Sequence, residues 1–69
     1  MVNREHKEYL VSLLRQYRID NTLTYQLLAD ELDLPRPTVS AWLNRDNYPG
    51  EIACARLEKF LTEKGYIQS

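Results

Sequence analysis

The sequence holds a single cysteine, Cys54, among 69 residues. No internal disulfide can form, and a reducing compartment fits that usage. It also holds a single histidine, His6. His6 has no His, Cys or acidic neighbours at metal-ligand spacing, so it reads as a solvated residue and no metal site is expected. No Ser-His-Asp, Cys-His or paired-carboxylate arrangement can be picked out, which leaves no catalytic residues and no enzyme activity to assign. No apolar run approaches the roughly 18 residues needed to cross a membrane. The stretch MVNREHKEYL lacks the apolar core of a signal peptide, and a cytoplasmic protein without membrane contact is expected. No cofactor motif is present; in particular there is no glycine-rich phosphate loop ending in Gly-Lys-Ser or Gly-Lys-Thr, so the chain is not itself an ATPase. Finally, the sequence lacks a basic surplus, with a net charge of −1. Phosphate-binding proteins usually carry one, so on balance of charge alone nucleic acid is a poor partner.

The distribution of charge says more than its sum. Residues 1–18 carry a net +2, residues 19–33 a net −4, residues 34–50 a net +1, and residues 51–69 balance. The acid sits in one segment, in Asp20, Asp30, Glu31 and Asp33. The length fits one domain, residues 1–69, with a core too small to enclose a deep catalytic cavity.

Strand alternation is absent and helical spacing recurs throughout. The expected fold is all-α, a small domain of four helices with five as the alternative count. A first helix starts after Asn3, an N-cap, and runs to Tyr17 or Arg18, with Leu10, Leu13, Leu14 and Tyr17 as its apolar stripe. Ile19 to Leu23 reads as a turn, since Asp and Asn side chains bond local backbone. Thr24 caps a second helix over 25–32, with Leu28, Ala29 and Leu32 inward. Pro35 breaks the chain and Pro37 suits the first turn of a third helix reaching Arg45. Val39, Trp42 and Leu43 are its inward residues. After the loop DNYPG, a fourth helix spans 51–64 with Ile52, Ala53, Leu57, Phe60 and Leu61 inward, Cys54 as a buried small hydrophobe, and Gly65 closing it. Tyr66 and Ile67 are left to pack on the core or on a second subunit.

Two short helices joined by a tight turn make a helix-turn-helix unit. Ala29 is small where the helices would cross, and Asp33 falls where such a turn needs a left-handed backbone. Residues 24–44, TYQLLADELDLPRPTVSAWLN, resemble the helix-turn-helix of the Cro/repressor (XRE-type) family. The matching residues are Thr24, Leu28, Ala29, Leu32, Leu34, Arg36, Thr38, Val39, Ser40 and Trp42. Asp33 stands where glycine is common, and Pro35 and Pro37 where serine is. Residues 42–61, WLNRDNYPGEIACARLEKFL, are also similar to the N-terminal helix-turn-helix domain of transposition ATPases of the phage Mu B type.

With Val39, Trp42 and Leu43 inward, the outer face of the third helix carries Arg36, Thr38, Ser40, Ala41, Asn44 and Arg45. A helix of this kind fits the major groove of DNA, which is about 12 Å wide. The resemblance implies base contacts from Arg36, Thr38, Ser40 and Ala41. Backbone contacts are expected from Tyr25, Gln26, Asn44, Arg45, Asn47 and Tyr48. The acidic stretch 30–33 is expected on the outer side of the second helix, away from DNA.

The function these readings imply is sequence-specific binding of double-stranded DNA by a small transcriptional regulator of phage, plasmid or mobile-element type. A homodimer or a larger protein assembly is a further expectation. The alternatives are a DNA-binding module of a transposition protein, or a protein-interaction module using the acidic second helix.

Overall fold

A computed structural model of the chain describes residues 3–67; Met1, Val2, Gln68 and Ser69, the outer ends of the expected 1–69 domain, lie outside it. The described residues form four helices and no strand. Helix α1 spans Arg4–Asp20, α2 Tyr25–Leu32, α3 Arg36–Leu43 and α4 Glu51–Glu63. α2 packs chiefly on α3 and α1 chiefly on α4, with α1 also touching α3.

Local chemistry starts the first two helices. Asn3 Oδ1 accepts the His6 N–H at 2.8 Å and Thr24 Oγ1 accepts the Leu27 N–H at 3.1 Å. Each cap satisfies an N–H that would otherwise lack a partner, worth about 1 kcal/mol. α3 begins without a side-chain cap, behind Pro35 and with Pro37 in its first turn. Proline fits there because its fixed φ suits the helix and no N–H is needed.

Every helix ends the same way. The chain turns left-handed at Thr22 (φ 52°), Asp33 (φ 58°), Arg45 (φ 63°) and Gly65 (φ 84°). At each, the following N–H reaches back five residues: Leu23 to Arg18 O at 2.9 Å, Leu34 to Ala29 O at 3.0 Å, Asp46 to Ala41 O at 2.9 Å, and Tyr66 to Leu61 O at 2.8 Å. These closures satisfy the final carbonyls. Arginines from neighbouring helices add to them: Arg15 donates to Leu43 O, and Arg56 donates to Leu32 O at 3.2 Å.

Three boundaries differ from the sequence reading, the least of them α4, which ends at Glu63 with Lys64 as its cap. α1 continues through Ile19 and Asp20, because Gln16 Nε2 donates to Asp20 Oδ1 at 2.7 Å and Asn21 Nδ2 donates to Tyr17 O at 3.0 Å. These bonds carry the helix through the residues expected to turn. α3 stops at Leu43 rather than Arg45, since Arg45 is the left-handed residue that closes it.

The core is apolar throughout. Leu10, Val11 and Leu14 of α1, Leu28 and Ala29 of α2, Val39 and Trp42 of α3, and Cys54, Leu57 and Leu61 of α4 meet in it. Each fully buried Leu or Val contributes about 1.5–3 kcal/mol. Leu34 packs partly into the core, as expected of the turn residue. Tyr66 and Ile67 also pack on the core of their own chain. The Tyr17 ring meets Phe60 and Tyr66 edge-on, with centroids 5.2 and 5.6 Å apart.

Ile52 is not inward: it is 82% exposed. The buried stripe of α4 runs through Cys54, Leu57 and Leu61, and two residues of helix turn Ile52 about 200° away from Cys54. His6 is not simply solvated either. It is half-buried, and its Nε2 pairs with Glu58 on α4, tying the start of α1 to α4.

Candidate nucleic-acid interface

Helix α3 buries Val39, Trp42 and Leu43 at 0, 4 and 4% exposure. That fixes what faces out. Pro37, Ala41 and Asn44 lie four and then three residues apart, on the side opposite the buried stripe. Arg36, Ser40 and Asn44 form a second row at intervals of four. Arg36, Pro37 and Asn44 are exposed, whereas Thr38, Ser40 and Ala41 are half-buried on the flanks. Pro37 was missed as a contact candidate. Its signal was available, since it shares a face with Ala41 and Asn44.

The N-terminus of α2 meets the C-terminal end of α3. The Tyr25 hydroxyl donates to Asn44 Oδ1 at 3.4 Å, and Asn44 Nδ2 donates to Ser40 Oγ at 3.1 Å. Tyr25 and Gln26 therefore stand beside the α3 face. Gln26 is exposed, with its amide donating to Asp30 Oδ1 at 2.9 Å. Beneath Tyr25 lies Arg18, its guanidinium 4.9 Å from the ring centroid and its Nη1 donating to Leu23 O at 3.1 Å. Nothing in the sequence signals this contact, because its partners come from α1, from the turn after it and from the start of α2.

Past α3, the structure separates the expected contacts. Arg45 and Asn47 are exposed. Tyr48 turns toward α1 instead: its hydroxyl donates to Glu8 at 2.9 Å and Arg4 lies over its ring at 5.5 Å. Tyr48 thus joins α1 rather than the group around Tyr25.

Arg4 pairs with Glu8 at 3.5 Å on the surface of α1, and the other five arginines fall into two sets. Arg15, Arg18 and Arg56 each donate to a backbone carbonyl and hold the scaffold. Among the described residues, the Arg36 and Arg45 side chains have no hydrogen-bond or ion-pair partner, and they stand at the two ends of α3. The acidic segment splits too. Glu31 turns away from α3, accepting from the Tyr17 hydroxyl at 3.0 and 3.1 Å and lying 3.9 Å from Lys64. Burial and the Glu31 carboxylate push the Tyr17 hydroxyl above its usual pKa. Asp30 and Asp33, by contrast, border an open hollow with Leu34 and Pro35 beside the start of α3. Only part of the acid lies where the sequence reading placed it.

Among the described residues no group of three or more His, Cys, Asp or Glu side chains converges, and no helix is long and apolar enough to cross a membrane.

Two short helices crossing at a buried alanine, a left-handed turn, and a second helix with a small, neutral outer face define a helix-turn-helix DNA-binding domain. The model of the helix-turn-helix family matches residues 14–64, most of the chain. The protein belongs to this family, of the Cro/repressor (XRE) type. Domains of this family bind double-stranded DNA and typically serve transcription regulators rather than enzymes. No curated protein and no solved structure matches the chain.

Proposed function

We propose that this domain reads a specific double-stranded DNA sequence by laying α3 in the major groove, as a small transcriptional regulator of phage, plasmid or mobile-element type. The observation that carries the reading is the pair of unpartnered, exposed arginines, Arg36 and Arg45, bracketing the neutral face of Pro37, Ser40, Ala41 and Asn44. Small side chains let the helix approach base edges closely. Arg36 has the reach and the two donors to grip a guanine edge. Thr38, on the flank, joins Ser40 and Ala41 as a base contact, with Ala41 suited to a thymine methyl. Arg45, Asn44, Asn47, Gln26, Tyr25 and Tyr48 are the backbone contacts, Tyr48 through its place next to Arg45 and Arg4.

Few cations are free, so binding by one domain is weak and a dimer, tandem sites or a larger assembly supplies tight binding. The interaction-module alternative loses ground because Glu31 is occupied within the domain by Tyr17 and Lys64.

The test is affinity against salt for a duplex selected from a random pool. About two to three phosphate contacts give a log–log slope near −2 to −3, and one sequence is enriched. Absence of any duplex binding at low salt sinks the DNA reading.

A further inference from the structure

The Ser40 hydroxyl has one hydrogen and two lone pairs, so it can meet either a donor or an acceptor on a base edge. What it presents depends on what it already does within the protein. Among the described residues its only hydrogen bond is the one it accepts from Asn44 Nδ2 at 3.1 Å. Its hydrogen is then free to point outward.

That arrangement could be reversed, because an asparagine amide can turn over. Turned, it would donate to Tyr25 and accept from Ser40, and the serine would present lone pairs instead. Arg18 breaks the tie. Its guanidinium lies 4.9 Å from the Tyr25 ring centroid, and its Nε has no hydrogen-bond partner, so the ring and the Leu23 carbonyl hold it in place. A cation against the ring draws electron density from the phenol. The hydroxyl becomes a better donor and a poorer acceptor. Tyr25 therefore donates to Asn44 Oδ1, at 3.4 Å a long bond that sets a preference rather than a lock. The amide nitrogen is left facing Ser40.

We infer that the chain Arg18–Tyr25–Asn44–Ser40 sets the hydrogen-bond polarity of the reading face, making Ser40 a donor that selects an acceptor on a base edge. Asn44 is a positioning residue in this role, with its second N–H also directed as a donor. The acceptors open to such a face are a purine N7, guanine O6 and thymine O4. The inference rests on the proposed reading of DNA by α3.

The experiment uses the full chain and a duplex selected from a random pool, with affinities read by fluorescence anisotropy. The base facing Ser40 is the one at which Ser40→Ala changes the preference. There the unaltered protein favours an acceptor edge by roughly fivefold, and at a purine the preference falls when a 7-deaza analogue removes N7. Asn44→Ala lets the hydroxyl rotate and brings the preference toward unity, with the salt slope unchanged. Asn44→Asp is the sharper variant. Its carboxylate accepts from Tyr25 and from Ser40, so Ser40 turns its lone pairs outward and the preference inverts toward the amino group of cytosine or adenine. Melting curves check that both variants fold, as expected for an exposed position. If neither Asn44 variant alters the preference at that base, or if no base responds to Ser40→Ala, the polarity inference is overturned while selection of a duplex keeps the DNA reading. If no duplex is selected or bound at low salt, both fall together.

Discussion

Trp42 shows how much one side chain carries in a domain this small. It is 4% exposed, at the junction of α3 with the shared core. Trp42→Ala removes its packing at a cost of about 3–5 kcal/mol, comparable with the whole stability of a small domain. The variant is expected to lack a cooperative melt at 25 °C, and retention of the original melting temperature would take Trp42 out of the core. Tyr66 carries a different signal. Its hydroxyl donates to Asp20, and that bond, first among its causes, pushes the tyrosine from its usual 10.0 up to about 12. Only the protonated phenol can donate. The bond's contribution is complete below pH 10 and disappears as pH climbs toward 12. The same bond, with Gln16, holds Asp20 below its ordinary range, so on the acid side the contribution is present above that range and lost as pH falls through the lowered value. Subtracting the Tyr66→Phe denaturation profile from that of the unaltered protein should isolate an alkaline loss between about 10 and 12. Identical profiles would mean that the bond contributes nothing.

The helices were legible in the sequence where their chemistry is local. Asn3, Thr24 and Pro37 mark helix starts through bonds spanning three residues or a ring constraint, and the structure uses all three. Asp33 and Gly65 were legible as left-handed closures because aspartate and glycine visit that region readily. Thr22 and Arg45 were not. A β-branched residue and an arginine carry no preference for φ near 50–60°, and only the tertiary packing imposes it. The same holds for His6 with Glu58, 52 residues apart, and for the engagement of Tyr48 by Glu8. The outward residues of α3 followed from helical spacing, whereas the division of arginines into structural and free sets needed the third dimension. The left-handed closures allow a paired test. Thr22→Gly and Arg45→Gly each relieve backbone strain, offset in part by glycine's greater freedom when unfolded, for a net gain of about 1 kcal/mol. Thr22→Gly leaves DNA affinity as it was. Arg45→Gly weakens binding to every duplex and reduces the salt slope by about one unit. Chemical denaturation and anisotropy on the two proteins read both effects; a destabilised Thr22→Gly would contradict the strain argument.

On the scale of the molecule, first and last helices hold each other while the middle pair presents a surface. α1 and α4 are joined by the His6–Glu58 pair, by Tyr17 against Phe60, and by Tyr66 reaching Asp20. A net-negative protein still leaves two cations free at its α3, because Glu31 is folded back onto Tyr17 and Lys64 while the Arg36 and Arg45 side chains are left out, with Asp30 and Asp33 beside the start of the helix. At the centre of this enclosure lies Cys54, fully buried, its thiol donating to Pro49 O at 3.6 Å and pushed above its usual pKa by burial. A closed thiol of this kind cannot be attacked; only a molecule whose core has opened can be. The single thiol is thereby a clock. Each tick, one molecule consumed by a coloured disulfide reagent, records one opening. In buffer the ticks should come about a thousandfold or more slower than in denaturant, and Trp42→Ala should quicken them to the denatured pace. Any duplex that grips the closed form slows the clock again, by a factor of one plus its concentration over Kd. Recognition could then be timed in unlabelled DNA, without touching the surface that performs it.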